Sequence, residues 1–395
     1  MMLLADITIL LALLALLPVT VFFAQVLIGF PVYGKQAVSS GSRAKIAVLI
    51  PAHNESAGIA KTLASIQPQL LAGDRLIVIA DNCSDDTAQI SRGLGAEVVE
   101  RMDQTKRGKG YALDYGIRHL ATGVPPEMVL FIDADCLIDK NTIDYLALTC
   151  QKTARPAQAL YLMFAPRDAG MKMRFAQFAW AVKNRLRAMA FYRLGLPCGL
   201  TGSGMIFPWR IISQAQLANN QIVEDLKMGI DLACLGSAPV LCPEALVTSS
   251  FPSNEAGVKT QRTRWEHGHL SLILSECPRL ISAAFQRKEP KLVCMALDLC
   301  VPPLSFLVLS IFGLLFLTGL EFLMLGIILP LTISISGLVL MCLAILVAWW
   351  AEGRQLISVY ELLYSPIYAA RKIPLYISFF VNRQVEWIRS SRDKK

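Results

Sequence analysis

Asp133 and Asp135 stand at i and i+2 in the stretch FIDADC, directly after the apolar run MVLFI. Two carboxylates this close repel at neutral pH unless a cation or hydrogen bonds offset their charge. Hard oxygen donors that fill one or two positions suit Mg2+ or Mn2+, with water and substrate phosphates completing the shell. A metal–diphosphate site is therefore the chemical reading, and an edge-of-sheet turn the plain one. A second acidic pair, Glu224–Asp225 in QIVEDLKMGIDLA, opens a helical pattern. The helix dipole favours acids there whatever their use; the chemical reading makes one of the two a general base.

Other polar clusters follow short apolar runs. PAHNES brings His53, Asn54 and Glu55 after Pro51, where a helix cap by Asn54 or Ser56 is an adequate explanation on its own. In ADNCSDDTA, Ser84 or Asp85 suits a helix start, which leaves Asp81 for a ligand. DQTKRGKGYALD is glycine-rich and basic, so its backbone can approach a phosphate while Lys106, Arg107 or Lys109 supplies charge; a solvated basic loop explains it equally well. QRTRWEHGH, 261–269, reads as a turn with two arginines and a tryptophan within five residues. A solvated turn has no need of the tryptophan and a buried one does not tolerate unpaired arginines, so an anionic partner is expected there.

The elements that must carry these residues are legible from hydropathy. KIAVLI, RLIVIA, EVVE and MVLFI are strand-length and separated by helical patterns. Such alternation predicts a parallel, doubly wound α/β sheet whose ligands bind beyond the carboxyl ends of the strands. Three of the runs end directly in polar clusters, which gathers the candidate chemistry along one edge. No GxGxxG follows a strand and no GxxxxGK[ST] occurs, which argues against a nucleotide-dependent oxidoreductase and a Walker-type phosphate loop.

Of the 395 residues 54% are hydrophobic and 17% charged, values that call for membrane segments beside the α/β block. Residues 3–30 form an apolar run followed by Lys35, Arg43 and Lys45, which predicts a signal anchor with the chain beyond it in the cytoplasm. Two further spans are expected at about 295–320 and 328–350, with Trp349 and Trp350 at an interface. The apolar stretch 356–381, broken by Pro366, Arg371, Lys372 and Pro374, reads as interfacial or re-entrant, and the tail after it is basic. A third basic stretch, MKMRFAQFAWAVKNRLRAMAFYRLG, carries Lys172, Arg174, Lys183, Arg185, Arg187 and Arg193 and is expected to lie on the membrane near a lipid phosphate. The net charge of +8 fits an anionic leaflet or simply sets topology, and no nucleic-acid partner is expected. Ten cysteines without a CxxC pair and four histidines offer no zinc pattern and read as reduced thiols. About three spans and a large soluble block disfavour a transporter. The expected division is an anchor at 1–42, a cytosolic catalytic domain at 43–290, two transmembrane helices at 291–352, and an interfacial segment with a basic tail at 353–395.

Taken in order, the clusters resemble the family 2 glycosyltransferases, in particular the membrane-bound branch of cellulose, chitin and hyaluronan synthases. The order is an Asn–Glu at 54–55, Asp81, a DxD at Asp133–Ala134–Asp135, Glu224–Asp225, and QxxRW as Gln261, Arg262, Thr263, Arg264, Trp265. The resemblance covers about 45–269. It implies a GT-A fold, a mostly parallel sheet set between N-terminal and C-terminal transmembrane helices. It implies an inverting transfer from a nucleotide-sugar donor, most often a UDP-sugar, at the cytoplasmic face of the membrane. The acceptor would be lipid-linked or a growing glycan, in glycolipid, exopolysaccharide or cell-envelope synthesis, with single addition favoured over processive polymerisation; a polymerase would need an oligomer or an export partner. By the same resemblance Pro51, His53, Asn54, Glu55, Asp81, Lys109 and Asp133 belong to the donor site. Asp135 with Asp133 would hold Mg2+ or Mn2+, and Asp225, beside Glu224, would be the base. Arg262 and Arg264 would meet the diphosphate, and Trp265 with Gln261 the acceptor. CGLTGSGMIF resembles the segment lining the acceptor, with Thr201, Gly202 and Ser203 as contacts. His53 departs from the Tyr of many relatives, which bears on base preference.

Overall fold

The computed structural model describes residues 2–30, 42–218, 222–252 and 255–381, the side chains of 2–5 and 255–259 excepted. Lys35 and the basic tail after 381, both used above to argue topology, lie outside the described residues. The chain forms two compact units. One gathers Met1–Val32, Arg167–Leu194 and Arg262–Gln384, the other Tyr33–Pro166, Gly195–Gln261 and Val385–Lys395.

The second unit is built on one sheet. Its strands are β1 (Ile46–Ala52), β2 (Arg75–Asp81), β3 (Glu97–Arg101), β4 (Met128–Phe131), β5 (Leu137–Ile138), β6 (Ala157–Phe164), β7 (Met205–Pro208) and β8 (Val240–Ser250). Their order is β3-β2-β1-β4-β7-β6-β8-β5. The four strand-length runs picked out in the sequence are β1 to β4, and these pair in parallel. β7 runs antiparallel to both β4 and β6, and β5 antiparallel to β8, so the sheet is mixed rather than wholly parallel. The reversal has a consequence for the site. Because Met205 pairs with Phe131, the segment that leads into β7 arrives at the edge where Asp133 follows the end of β4.

One face of the sheet is apolar and covered. Leu49, Ile77, Ile79, Val129, Phe131 and Phe207 pack against Leu113, Ile117 and Leu120 of the helix Lys109–Ala121 and against Met228 and Leu232 of the helix Glu224–Cys234. The Phe131 and Phe207 rings meet at 5.1 Å between centroids. Each such side chain contributes about 1.5–3 kcal/mol by leaving water. This packing fixes both helices, and therefore Lys109 and Glu224 at their first turns, over the carboxyl edge of the sheet.

At the opposite end of β1, Arg43 and Asp74 form a buried pair. The guanidinium donates to Asp74 Oδ2 at 2.6 Å and Oδ1 at 3.1 Å, and reaches Asp144 at 2.5 Å. Burial pushes the Asp74 carboxyl up, but hydrogen bonds from Arg43 and from the Leu71 and Ile46 amides outweigh it and hold it below its ordinary value. With the folded value below the unfolded one, the contribution is complete above about pH 4 and is lost as pH falls through the folded value. We expect Asp74→Ala to destabilise the sheet unit by about 3 kcal/mol, read as a lower unfolding midpoint, with the difference from wild type shrinking below about pH 4. An unchanged midpoint at neutral pH would remove this pair from the account.

The first unit is helical. Among the described residues three helices are long and apolar enough to cross a membrane: Asp6–Gly29, Leu304–Leu325 and Leu329–Gly353. The second begins later than the expected 295, because Pro302 and Pro303 separate it from a distinct helix, Lys291–Leu299. The stretch 356–381 folds as three short helices, Val359–Leu363, Ser365–Ala370 and Ile373–Val381. Residues 171–193 form a continuous helical run with a π-turn at Val182–Arg187. Its Phe175, Phe178, Val182 and Leu186 are buried with Val19, Phe22 and Val26 of the first helix. Gly29 permits the crossing, since a Cβ there would stand 1.9 Å from the Leu186 carbonyl oxygen. The arginines of this run, expected to face lipid phosphate, have partners inside the unit instead. Arg174 pairs with Glu361, Arg185 with Glu352 at 3.3 Å and Arg187 with Asp298 at 2.7 Å, while Arg193 donates to the Ile28 and Phe30 carbonyls.

Candidate active site

β4 stops at Phe131, and Asp133 follows where the chain leaves the sheet. Its amide donates to Ser203 Oγ at 3.0 Å, and its carboxylate receives Lys109 Nζ at 2.5 Å. Lys109 also donates to the Gly202 carbonyl at 2.6 Å. Burial pulls the Lys109 ammonium down, but the charges of Asp133 and then Glu224 outweigh it, so its affinity for the proton is raised and it stays charged. One cation thus joins the end of β4 to the loop before β7.

Asp225 comes to the same place from the helix Glu224–Cys234. Its Oδ1 accepts from the Leu226 amide at 2.8 Å, inside the first turn, where unpaired amides favour an anion. Gly202 has φ +96, and a Cβ built on it would lie 3.2 Å from Asp225 Oδ2, 3.8 Å from Lys109 Nζ and 4.0 Å from Asp133 Oδ2. Three charged groups therefore surround one glycine. A recess between the two helices is lined by Lys109, Glu224 and Asp225 on its polar side and by Leu113, Met205, Leu217 and Met228 on its apolar side.

The 201–204 loop is held rigidly from below. Gln158, buried in β6, donates from Nε2 to the Ser203 carbonyl and accepts the Thr201 amide, both at 2.9 Å. Ser203, expected to contact an acceptor, is fully buried and accepts from the Asp133 amide, so it positions Asp133 instead. Thr201 is half-buried beside Gly202. A lone glutamine in the apolar run AQALYLMF is the sequence signal that was available for Gln158.

Donor atoms of Asp133, Asp135 and Cys136 lie within 4.8 Å of one another. Burial pushes the Cys136 thiol well up, which leaves it a protonated, soft and poor ligand for Mg2+ or Mn2+. The two carboxylates fit a hard divalent ion. Lys109 nevertheless supplies a counter-charge at Asp133 that the sequence reading had assigned to a metal or to unspecified hydrogen bonds.

Along the edge, the ends of β1 and β2 are laced together. His53 Nδ1 lies 2.6 Å from the Asp81 carbonyl. Asn54, at φ 54, accepts the Ser84 amide at 2.7 Å, and the Glu55 amide donates to Thr87 Oγ1 at 2.8 Å. Asn54 therefore bridges two strand-end loops rather than capping the next helix, whose N-cap is Gly58. Pro51 is on β1 opposite Ile79. Asp81 is buried and meets Arg101 at 2.6 Å, a partner that sequence reasoning missed.

The QxxRW stretch lies within a long helix, Glu255–Arg287, and not in a turn. Gln261 belongs to the sheet unit, while Arg262, Arg264 and Trp265 belong to the helical unit. Arg262 donates to the Tyr368 hydroxyl at 3.0 Å and to the Lys172 carbonyl at 3.2 Å. Trp265 packs on Trp180 at 4.9 Å, and Arg264 is half-buried. Next to them, Glu266 receives Lys372 at 2.6 Å and Tyr376 at 2.5 Å. His269 is buried against the Leu299 carbonyl, and desolvation first, then Lys183 and Arg187, lower its pKa to about 3, so it is neutral.

The mixed sheet with its acidic edge defines a GT-A fold. The family described as "Glycosyltransferase like family 2" matches residues 43–268, and the chain belongs to it. The 4,4'-diaponeurosporenoate glycosyltransferase of Staphylococcus aureus (strain USA300) is 37% identical over 105 residues, 26% of this chain. That alignment spans 27% of the relative's own length. Among solved structures, the mannosyltransferase PcManGT from Pyrobaculum calidifontis, in complex with GDP-Man and Mn2+, aligns with a TM-score of 0.55 at 14% identity. That alignment covers 96% of this chain and 99% of that one, and at such identity it speaks for fold alone.

Gly202 offers a direct test of the cluster. Gly202→Ala imposes a left-handed backbone on a residue with a side chain and pushes a methyl against Asp225. We expect the variant to remain folded and to lose activity by about 10²-fold, since a misplacement of about 1 Å at reacting groups has that effect. Retained activity would show that this face of Gly202 is not where reaction occurs.

Proposed function

We propose that the protein is an inverting, metal-dependent glycosyltransferase. It moves a hexosyl or N-acetylhexosaminyl group from a nucleotide diphosphate sugar, a UDP-sugar by preference, to a lipid-linked or glycan acceptor at the cytoplasmic face of a membrane. The observation that carries this reading is the meeting of Asp133, Lys109 and Asp225 around Gly202, at the carboxyl edge of a family 2 fold.

Each residue has a task in this reading. Asp225 takes the proton from the attacking acceptor hydroxyl, within hydrogen-bond reach. Lys109, held charged by its acidic neighbours, faces the leaving diphosphate and keeps Asp133 and Gly202 in register. Asp81, His53, Asn54 and Glu55 receive the nucleoside end of the donor. Asp133 and Asp135 would hold Mg2+ or Mn2+, which when bound supplies counter-charge for the diphosphate. One base and one in-line displacement invert the anomeric centre.

Single addition is favoured over polymerisation. Among the described residues three helices are long and apolar enough to cross a membrane, few for a private polysaccharide channel, and the Staphylococcus aureus relative is named a 4,4'-diaponeurosporenoate glycosyltransferase and not a polymer synthase. Full-length protein in detergent, given a panel of nucleotide sugars with membrane lipids, should give products one sugar heavier by mass. A ladder of products would replace this with the processive reading. EDTA should abolish transfer, and Mg2+ or Mn2+ should restore it; full activity in EDTA would remove Asp133 and Asp135 from metal binding.

A further inference from the structure

Arg101 closes β3 and is 8% exposed. Its guanidinium serves two elements at once. NH1 donates to Asp81 Oδ1 at 2.6 Å, on the end of β2. NH2 donates to Asp103 Oδ2 at 3.0 Å and to the Lys106 carbonyl at 2.7 Å, both on the basic loop 102–108. The Tyr111 ring lies under the same group at 5.9 Å.

That loop is closed on itself around Asp103. Asp103 Oδ1 accepts from the Thr105 amide at 2.9 Å, the Thr105 hydroxyl at 2.7 Å and the Lys106 amide at 2.9 Å. Asn82, at φ 51, completes the lacing. Its Nδ2 donates to Asp81 Oδ1 at 3.1 Å, its Oδ1 accepts the Asp103 amide at 2.8 Å, and its amide donates to the Arg101 carbonyl at 2.7 Å. The loop ends at Lys109, the cation that holds Asp133.

A stabilising pair at the end of a strand needs only one carboxylate. Here the planar fork reaches two carboxylates and a backbone carbonyl, which fixes the Asp81 side chain and the loop relative to each other. An acid that must present its carboxylate to a nucleoside has to be held in one rotamer, and Arg101, the charged one of the two donors on Asp81 Oδ1 beside Asn82, holds it most strongly.

We propose that Arg101 is a positioning residue for donor binding: it fixes Asp81 and the 102–108 loop in the arrangement that receives the nucleoside, without touching the reacting atoms. This rests on the donor reading given above. Arg101 acts through Asp81 and the loop it ties to Asp81, so its removal weakens nucleotide binding and leaves turnover at saturating donor nearly unchanged. A lysine keeps the charge but reaches only one partner, so Arg101→Lys recovers part of the loss.

The test uses the full chain in detergent with UDP and GDP as probes, in the presence of Mn2+, and calorimetric Kd values for wild type, Arg101→Lys, Arg101→Met, Asp81→Asn and the Asp81→Asn/Arg101→Met double variant. The expected result is a Kd raised about tenfold or more in Arg101→Met and less in Arg101→Lys, with a smaller loss when Arg101→Met is placed on Asp81→Asn than when it is placed on wild type. In transfer assays the donor KM should rise while kcat stays within about threefold. Wild-type affinity in both Arg101 variants, losses that multiply in the double variant, or a fall confined to kcat would overturn the proposal. If Arg101→Met does not fold, Arg101→Lys with unchanged Kd overturns it alone. Wild type that binds neither nucleotide contradicts the donor reading itself, an outcome distinct from variants that bind as wild type does.

Discussion

Asp133, Glu224 and Asp225 bring like charge to one sheet edge, and the contact that makes this tolerable is Lys109. Its ammonium bonds Asp133 and the Gly202 carbonyl and feels Glu224 and Asp225 as well. Three pieces of chain remote in sequence meet on it: the end of β4, the loop before β7, and the start of the helix that carries the acids. The rest of the second unit serves that meeting. The apolar face of β1, β2, β4 and β7 seats the two helices so that Lys109 and Asp225 project over the edge. The reversal of β7 delivers Gly202 there, and Gln158 and Ser203 hold the loop from beneath.

The glycine is as necessary as the lysine. Its left-handed backbone turns the chain without a side chain, and this leaves the space between Asp225 and Asp133 open. A substrate group entering that space meets a carboxylate able to accept a proton and a cation able to face leaving charge. In the proposed reading, the same crowding of charge that makes the unit costly to assemble suits it to displacement of a diphosphate.

Much of this was legible in the sequence, and the reasons differ by residue. β1, β2 and β4 are short runs with apolar centres followed by polar clusters, so hydropathy located them and the acids at their ends, while β3, EVVER, was marked by its valine pair between charges. The acidic pair at 224–225 opens a helix as its pattern indicates. β7 was not legible, because four residues of strand after a glycine-rich loop leave no periodic trace and their direction depends on where β4 and β6 already stand. Arg101 was passed over because a charged residue at a strand end looks like a solvated one until Asp81 and the 102–108 loop are placed against it. The QxxRW stretch misled in another way. Arg262, Glu266, His267 and His269 face partners more than 100 residues away or on the helix Lys291–Leu299, so this helix shows no apolar stripe and was read as a turn.

The proposed reaction stands on the carboxylate beside Gly202 being the base. Turnover of Asp225→Asn and Glu224→Gln at saturating donor, set against wild type, tests it most directly. The two acids are adjacent on a helix and point about 100° apart, so they cannot exchange roles. Asp225→Asn is expected to bind nucleotide much as wild type does and to lose about 10²-fold or more in kcat, while Glu224→Gln is affected less. Near-normal turnover in Asp225→Asn with an inactive Glu224→Gln would contradict it and move the base to the neighbouring residue.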